Sequence, residues 1–152
     1  MPTKVMSNNE VIVMLEVFRA KHNIPAEAIV LGGGGALMLR GIRDTTEDLN
    51  VWVDEQYFTQ IAKDNKVICH PMVDTVVNPQ DDPYFWVRKR NDYFKTEWID
   101  QVQVFDLLTM IIHKRGSLAK VERPLVKRQQ DRIDLITLDQ LQSHKHRVKN
   151  IA

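Results

Sequence analysis

The first apolar positions recur with a helical period. Val11, Met14, Leu15 and Phe18 share one face of a segment reaching about His22, while Glu16, Arg19 and Lys21 lie elsewhere. Ser7-Asn8-Asn9-Glu10 supplies a capping box ahead of it, and Pro25 stands beyond it as a stop. The pattern then becomes extended. Ala28 to Leu31 reads as a short strand broken by Gly32 to Gly35, with a short helix over Ala36 to Arg40. Leu49 to Val53 reads as a second strand, and Asp54 as the cap of a helix over Glu55 to Asp64 that turns Tyr57, Phe58 and Ile61 inward.

Further extended pieces are expected at Val67 to Ile68, Met72 to Val77, Tyr84 to Val87, and Trp98 with Val102 to Val104; Asn78 to Pro83 is a turn cluster. Asp106 suits the cap of a helix that Gly116 would end. A helix from about Leu125 to Ile136 follows, and Thr137-Leu138-Asp139-Gln140 reads as a second capping box opening a last, basic helix. Strands interleaved with helices, then helices alone, predict an α/β or α+β fold with a helical C-terminal segment. The expected organisation is one domain over residues 1–152, with a sheet-containing core over 1–104 and a helical part over 105–152.

Charge adds an asymmetry to this picture. Residues 1–112 carry 11 Lys and Arg against 16 Asp and Glu, whereas residues 113–152 carry 10 against 4. An acidic body followed by a basic end suits contact with a polyanion, and equally a solvated helix face. Cys69 is the only cysteine, which excludes an intramolecular disulfide and suits a reducing cytoplasm. Apolar runs such as Val11 to Leu15 are too short to cross a bilayer, and no secretory signal pattern is visible, so no membrane partner is expected.

Four consecutive glycines after a strand and before a helix are the first chemical signal. Glycine admits positive φ and close approach to the main chain, and a following helix presents free N–H groups, so Gly33, Gly34 and Gly35 are candidates for holding phosphate. A tight turn is the plain alternative. A Walker loop is excluded because Ala36-Leu37 stands where Lys-Ser/Thr is required, and a dinucleotide fingerprint because Met38 replaces its third glycine.

The stretch from Leu31 to Val53 resembles the signature of the DNA-polymerase-β-like nucleotidyltransferases. Gly34-Gly35, then Gly41-Ile42-Arg43, then Thr46 and Asp48 at a strand start follow that pattern. The likeness is nearest to the small bacterial and phage group that includes the abortive-infection toxins. Met72 to Val77 resembles the strand bearing the family's third carboxylate, here Asp74. Phe105-Asp106-Leu107-Leu108, Lys114 and Arg128-x-x-Asp131-x-x-Asp134 resemble its C-terminal helical signature, with Gln130 where Lys is common.

The resemblance implies a small mixed sheet flanked by helices and a nucleoside triphosphate or other nucleotide as ligand. It implies transfer of a nucleotidyl group to an acceptor such as RNA, a protein hydroxyl or a small molecule. Asp48 and Asp74 would hold Mg²⁺, an oxygen-seeking ion that activates the acceptor and neutralises the leaving pyrophosphate. Asn50 occupies the place of the second metal-binding aspartate and brings no charge. Three readings stay open: an enzyme with one weakly held Mg²⁺, metal-independent transfer with Arg40, Arg43 or Lys114 supplying positive charge, or a degenerate member that binds a nucleotide or a protein as an antitoxin-like regulator. Kinase chemistry in the same pocket is a further alternative.

Arg40 and Arg43 are candidates for phosphate contact, with ion pairs to Asp44, Glu47 or Asp48 as the alternative. Lys114 and Arg128 are candidates for the triphosphate, and Asp131 and Asp134 for orienting such basic side chains. Tyr84-Phe85-Trp86 beside Arg88-Lys89-Arg90 suits either stacking on a base or core packing of a strand. His70 beside Pro71 is a candidate base, with a structural or surface histidine as the commoner alternative, and His113, His144 and His146 have no zinc-site spacing.

Overall fold

Ser7 opens the first helix as the pattern requires. In the computed structural model, which describes residues 5–69, 73–78, 80, 84–120 and 122–151, with side chains as far as Lys145, helix α1 spans Asn8–His22. The Ser7 hydroxyl accepts the Glu10 amide N–H and the Glu10 carboxylate accepts the Ser7 amide N–H, so two otherwise orphaned donors are satisfied. Asn23 ends the helix in the left-handed region at φ 55°.

The chain divides into two compact units, Met1–Phe105 and Asp106–Ala152. The first is built on a seven-stranded mixed sheet: β1 Ile29–Gly32, β2 Asp48–Val53, β3 Lys66–Cys69, β4 Asp74–Val77, β5 Tyr84–Lys89, β6 Thr96–Ile99 and β7 Val102–Phe105. Their order across the sheet is β3-β4-β5-β2-β1-β7-β6. β1 runs antiparallel to β2, while β2 runs parallel to β5 and β1 parallel to β7. Helix α2, Gly33–Leu39, links β1 to β2, and α3, Glu55–Asp64, follows β2.

Register and alternation sort the side chains onto two faces. Leu31, Leu49, Val51, Val53, Val76, Phe85 and Val87 are all buried on one face. The helices cover it: the Phe18 ring of α1 stacks on Phe85 with centroids 4.3 Å apart, and Phe58 of α3 lies beneath the Lys89 ammonium. The other face carries Asp48, Asn50 and Trp52 of β2 opposite Tyr84, Trp86 and Arg88 of β5, all half-buried. The sheet with flanking helices and the helical C-terminal segment agree with the α/β class expected from the pattern.

The glycine run behaves differently from a turn. Only Gly32 lies in the strand; Gly33, Gly34 and Gly35 form the first turn of α2. In the second unit α4, Leu107–Leu118, begins at Asp106, whose carboxylate accepts the Thr109 N–H at 2.9 Å. The helix continues through Gly116 instead of ending there. α5 is one helix over Leu125–Ile151, and no cap divides it at Thr137. The Thr137 hydroxyl donates to the Ile133 carbonyl one turn back, a bond compatible with a continuous helix. Among the described residues no helix is long and apolar enough to cross a membrane.

Candidate functional site

The sequence pairs Asp48 with Asn50 by alternation, and the structure places both on the half-buried face of β2, next to the point where β1 passes into α2. Gly32 stands opposite Asn50 in the β1–β2 register. Gly33 follows at φ +55°, and a Cβ there would come within 2.7 Å of the Asn50 side-chain nitrogen. Thr46 lies under the first turn of α2, its hydroxyl donating to the Asp48 carbonyl at 3.0 Å. The Arg43 guanidinium also reaches this turn, its Nη1 2.8 Å from where a Gly34 Cβ would lie. The fourfold glycine is therefore explained by the chain's own side chains: Trp52 and Phe105 crowd Gly32, Asn50 crowds Gly33, Thr46 and Arg43 crowd Gly34, and Leu31 and Leu49 crowd Gly35.

β5 completes the cluster. The Trp86 indole N–H donates to Asp48 Oδ2 at 3.0 Å. Arg88 Nη1 donates to Asn50 Oδ1 at 2.9 Å, and its guanidinium carbon sits 5.1 Å from the centre of the Trp52 ring. Burial pulls the Arg88 pKa below the ordinary arginine value, and the negative charge of Asp48 opposes that shift. An arginine remains protonated through such a shift, so the site holds a fixed positive charge between an aromatic ring and two oxygen-bearing side chains. Arg88 is the site residue that a family signature does not supply. Alternation in Tyr84-Phe85-Trp86-Val87-Arg88 carries its signal, since Phe85 and Val87 enter the core and the residues between them must face the other way.

Asp74 does not join this cluster, which corrects the expected third carboxylate. Thr75 pairs with Arg88, so Asp74, one residue away, belongs to the opposite, helix-covered face of the sheet. It is also remote along the strands. Arg88 lies four residues beyond Tyr84, the partner of Asp48, which is about 13 Å at 3.3 Å per residue. Among the described residues Asp48 is thus left as the single carboxylate of the cluster, and it is already engaged by an indole N–H. Asn50 Oδ1 is engaged by a guanidinium, which occupies the space a cation would need. These residues do not fit a two-ion Mg²⁺ site, and among the described residues no group of three metal-ligating side chains converges.

Arg40 is a second correction. Its guanidinium is bonded to the Glu97 carboxylate and to the Phe105 carbonyl, the latter at 2.8 Å, so it ties the end of α2 to β6 and β7 instead of presenting to a ligand. Arg43 remains beside the first turn of α2. Within the second unit, Lys114 donates to Asp131 at 2.8 Å and pairs with Asp134 at 3.0 Å, both carboxylates being fully buried. Arg123 bonds Asp131 as well, at 2.5 Å, and Gln130 donates to Asp134 at 2.9 Å. Arg128 lies in the first turn of α5, half-buried, its Nε enclosed and without a hydrogen-bond partner among the described residues. His70 and Met72 lie outside the described residues, as does the side chain of His146.

Comparison with protein-family models, with curated proteins and with solved structures finds no match.

Proposed function

We propose that the half-buried face of β2 and β5 binds a nucleotide, and that the protein is a degenerate relative of the nucleotidyltransferases acting as a nucleotide-responsive regulator instead of a transferase. The observation that carries this reading is Arg88, bonded to Asn50, lying over Trp52 and beside Asp48. A guanidinium fork suits phosphate oxygens, and the exposed parts of Trp86 and Tyr84 offer aromatic surface for a base. Transfer is disfavoured because, among the described residues, the carboxylates that would hold two ions are reduced to Asp48 alone, Asn50 being neutral and Asp74 belonging to the other face. An RNA or protein acceptor belongs to the transfer reading; the regulator reading replaces it with a protein partner. The lone exposed thiol of Cys69 is in keeping with a cytoplasmic setting.

Thermal shift and calorimetry with ATP, GTP, CTP and UTP, with and without Mg²⁺, test the proposal. Saturable binding that raises the melting temperature is expected, since a ligand of the native state stabilises it. Labelled triphosphate should be recovered unchanged. Pyrophosphate release that disappears in Asp48→Ala would reinstate nucleotidyl transfer. A nucleoside diphosphate product would point to kinase chemistry, and absence of binding to all four nucleotides would end the nucleotide reading.

A further inference from the structure

Sites that bind polyphosphate through carboxylates need divalent ions to reverse the sign of the charge that the phosphates meet. The Asp48 cluster holds a positive charge of its own in Arg88, set against the one carboxylate of Asp48. Resting on the nucleotide-binding reading above, we infer that the Arg88 guanidinium takes the role such an ion plays, so that polyphosphate binds here without a divalent metal.

Three features of the site carry this inference. Arg88 is positioned on both sides, by the Asn50 amide oxygen at 2.9 Å and by the Trp52 ring at 5.1 Å, so its fork is oriented before a ligand arrives. Asn50 does this with a neutral oxygen. An aspartate in its place would hold the same N–H but set a second carboxylate, beside Asp48, against the one guanidinium. Among the described residues Asn50 is the one hydrogen-bond acceptor of the Arg88 side chain, and none of its nitrogens is buried without a partner. Its remaining donors are thus open to a ligand's oxygens. Asparagine at position 50, which looks like a deficiency when a metal is assumed, orients Arg88 without adding a second negative charge to the site. Asp48 opposes the effect of burial on the guanidinium, and its own carboxylate is drawn to the Trp86 N–H.

Isothermal titration of ATP and of inorganic tripolyphosphate into the full chain, once in EDTA and once in Mg²⁺, reads the inference directly. Dissociation constants in the two buffers should agree within about threefold, a difference smaller than one hydrogen bond to a charged group. Arg88→Ala should weaken binding in EDTA about tenfold or more, the size expected for a lost charge-assisted bond. Arg88→Lys, which keeps the charge and loses the fork, should fall between, and it serves if the alanine variant does not fold. Asn50→Asp should weaken binding in EDTA, whereas a hidden metal site would make the same variant bind more tightly in Mg²⁺. ATP binding that appears only with Mg²⁺ overturns the inference and leaves nucleotide binding standing. No binding of either ligand in either buffer removes both.

Discussion

Replacing Asp131 by alanine should destabilise the protein by about 3 kcal/mol, the lower part of the range for breaking a buried ion pair from one side. The Asp131 carboxylate has no exposed surface, and three donor atoms converge on it: Lys114 Nζ at 2.8 Å, Arg123 Nε at 2.5 Å and Arg123 Nη2 at 3.2 Å. Alanine would leave the Lys114 ammonium, itself mostly covered, with Asp134 as its remaining carboxylate. The value sits low in the range because Asp134 stays and because Arg123 is partly exposed and can turn to water. Urea denaturation of wild type and variant measures the difference, and asparagine at 131 should recover part of it by accepting one of the bonds. An unchanged midpoint for Asp131→Ala would mean that the cluster contributes no net stability.

The same residue sets an acid dependence. Burial alone would raise the Asp131 pKa, but the bonds and charges of Arg123 and Lys114 outweigh it and hold the carboxyl below the ordinary aspartate range. A carboxyl depressed in the fold binds its proton more readily when unfolded, so the unfolded state gains protons first as pH falls. The stabilisation is therefore complete above the unfolded value of about 3.9 and is lost as pH drops from there through the lower folded value. Asp131→Ala should flatten the stability profile in that acid range while lowering it everywhere above.

Much of the fold was legible because local signals and core packing agree. The capping box at Ser7, the cap at Asp106 and the alternating burial of Asp48 to Val53 all follow from nearest neighbours along the chain. The failures occur where packing overrides a local signal. Gly116 has open space around it, so α4 passes through it at the modest cost of an exposed helical glycine. Asp134 and Leu138 are buried one turn apart, and that continuing stripe carries α5 past Thr137, whose capping pattern would have stopped it. Asp74 failed for a different reason. Composition marks β4 as a strand, but its register against β5 decides which face Asp74 joins, and a shift of one residue would reverse the answer. The partner of Arg40 was hidden in the same way, because Glu97 comes from a strand 57 residues away.

Gly34→Ala should cost about 1–3 kcal/mol, the usual penalty for forcing a methyl into a packed site. The new Cβ would stand 2.4 Å from the Thr46 hydroxyl, 2.8 Å from Arg43 Nη1 and 3.1 Å from Thr46 Cβ. Arg43 is met at the end of a long side chain and can give way. Thr46 cannot do so freely, since it is buried, its hydroxyl donates to the Asp48 carbonyl, and its own carbonyl accepts the Met6 N–H at 2.9 Å. Relief of the clash would therefore push on the start of β2, where Asp48 sits, and the variant should lose the nucleotide binding proposed above along with stability. Thr46→Ala in the same chain removes the obstructing oxygen, so the double variant should be more stable than the sum of the two single losses predicts, the signature of residues in direct contact. Gly116→Ala provides the opposite control. A Cβ there meets nothing within 4 Å and its φ is not positive, so alanine should stabilise α4 by about 0.5–1 kcal/mol. Thermal melts of the four variants decide the matter: additive losses at positions 34 and 46 would show that the glycine is not required by Thr46.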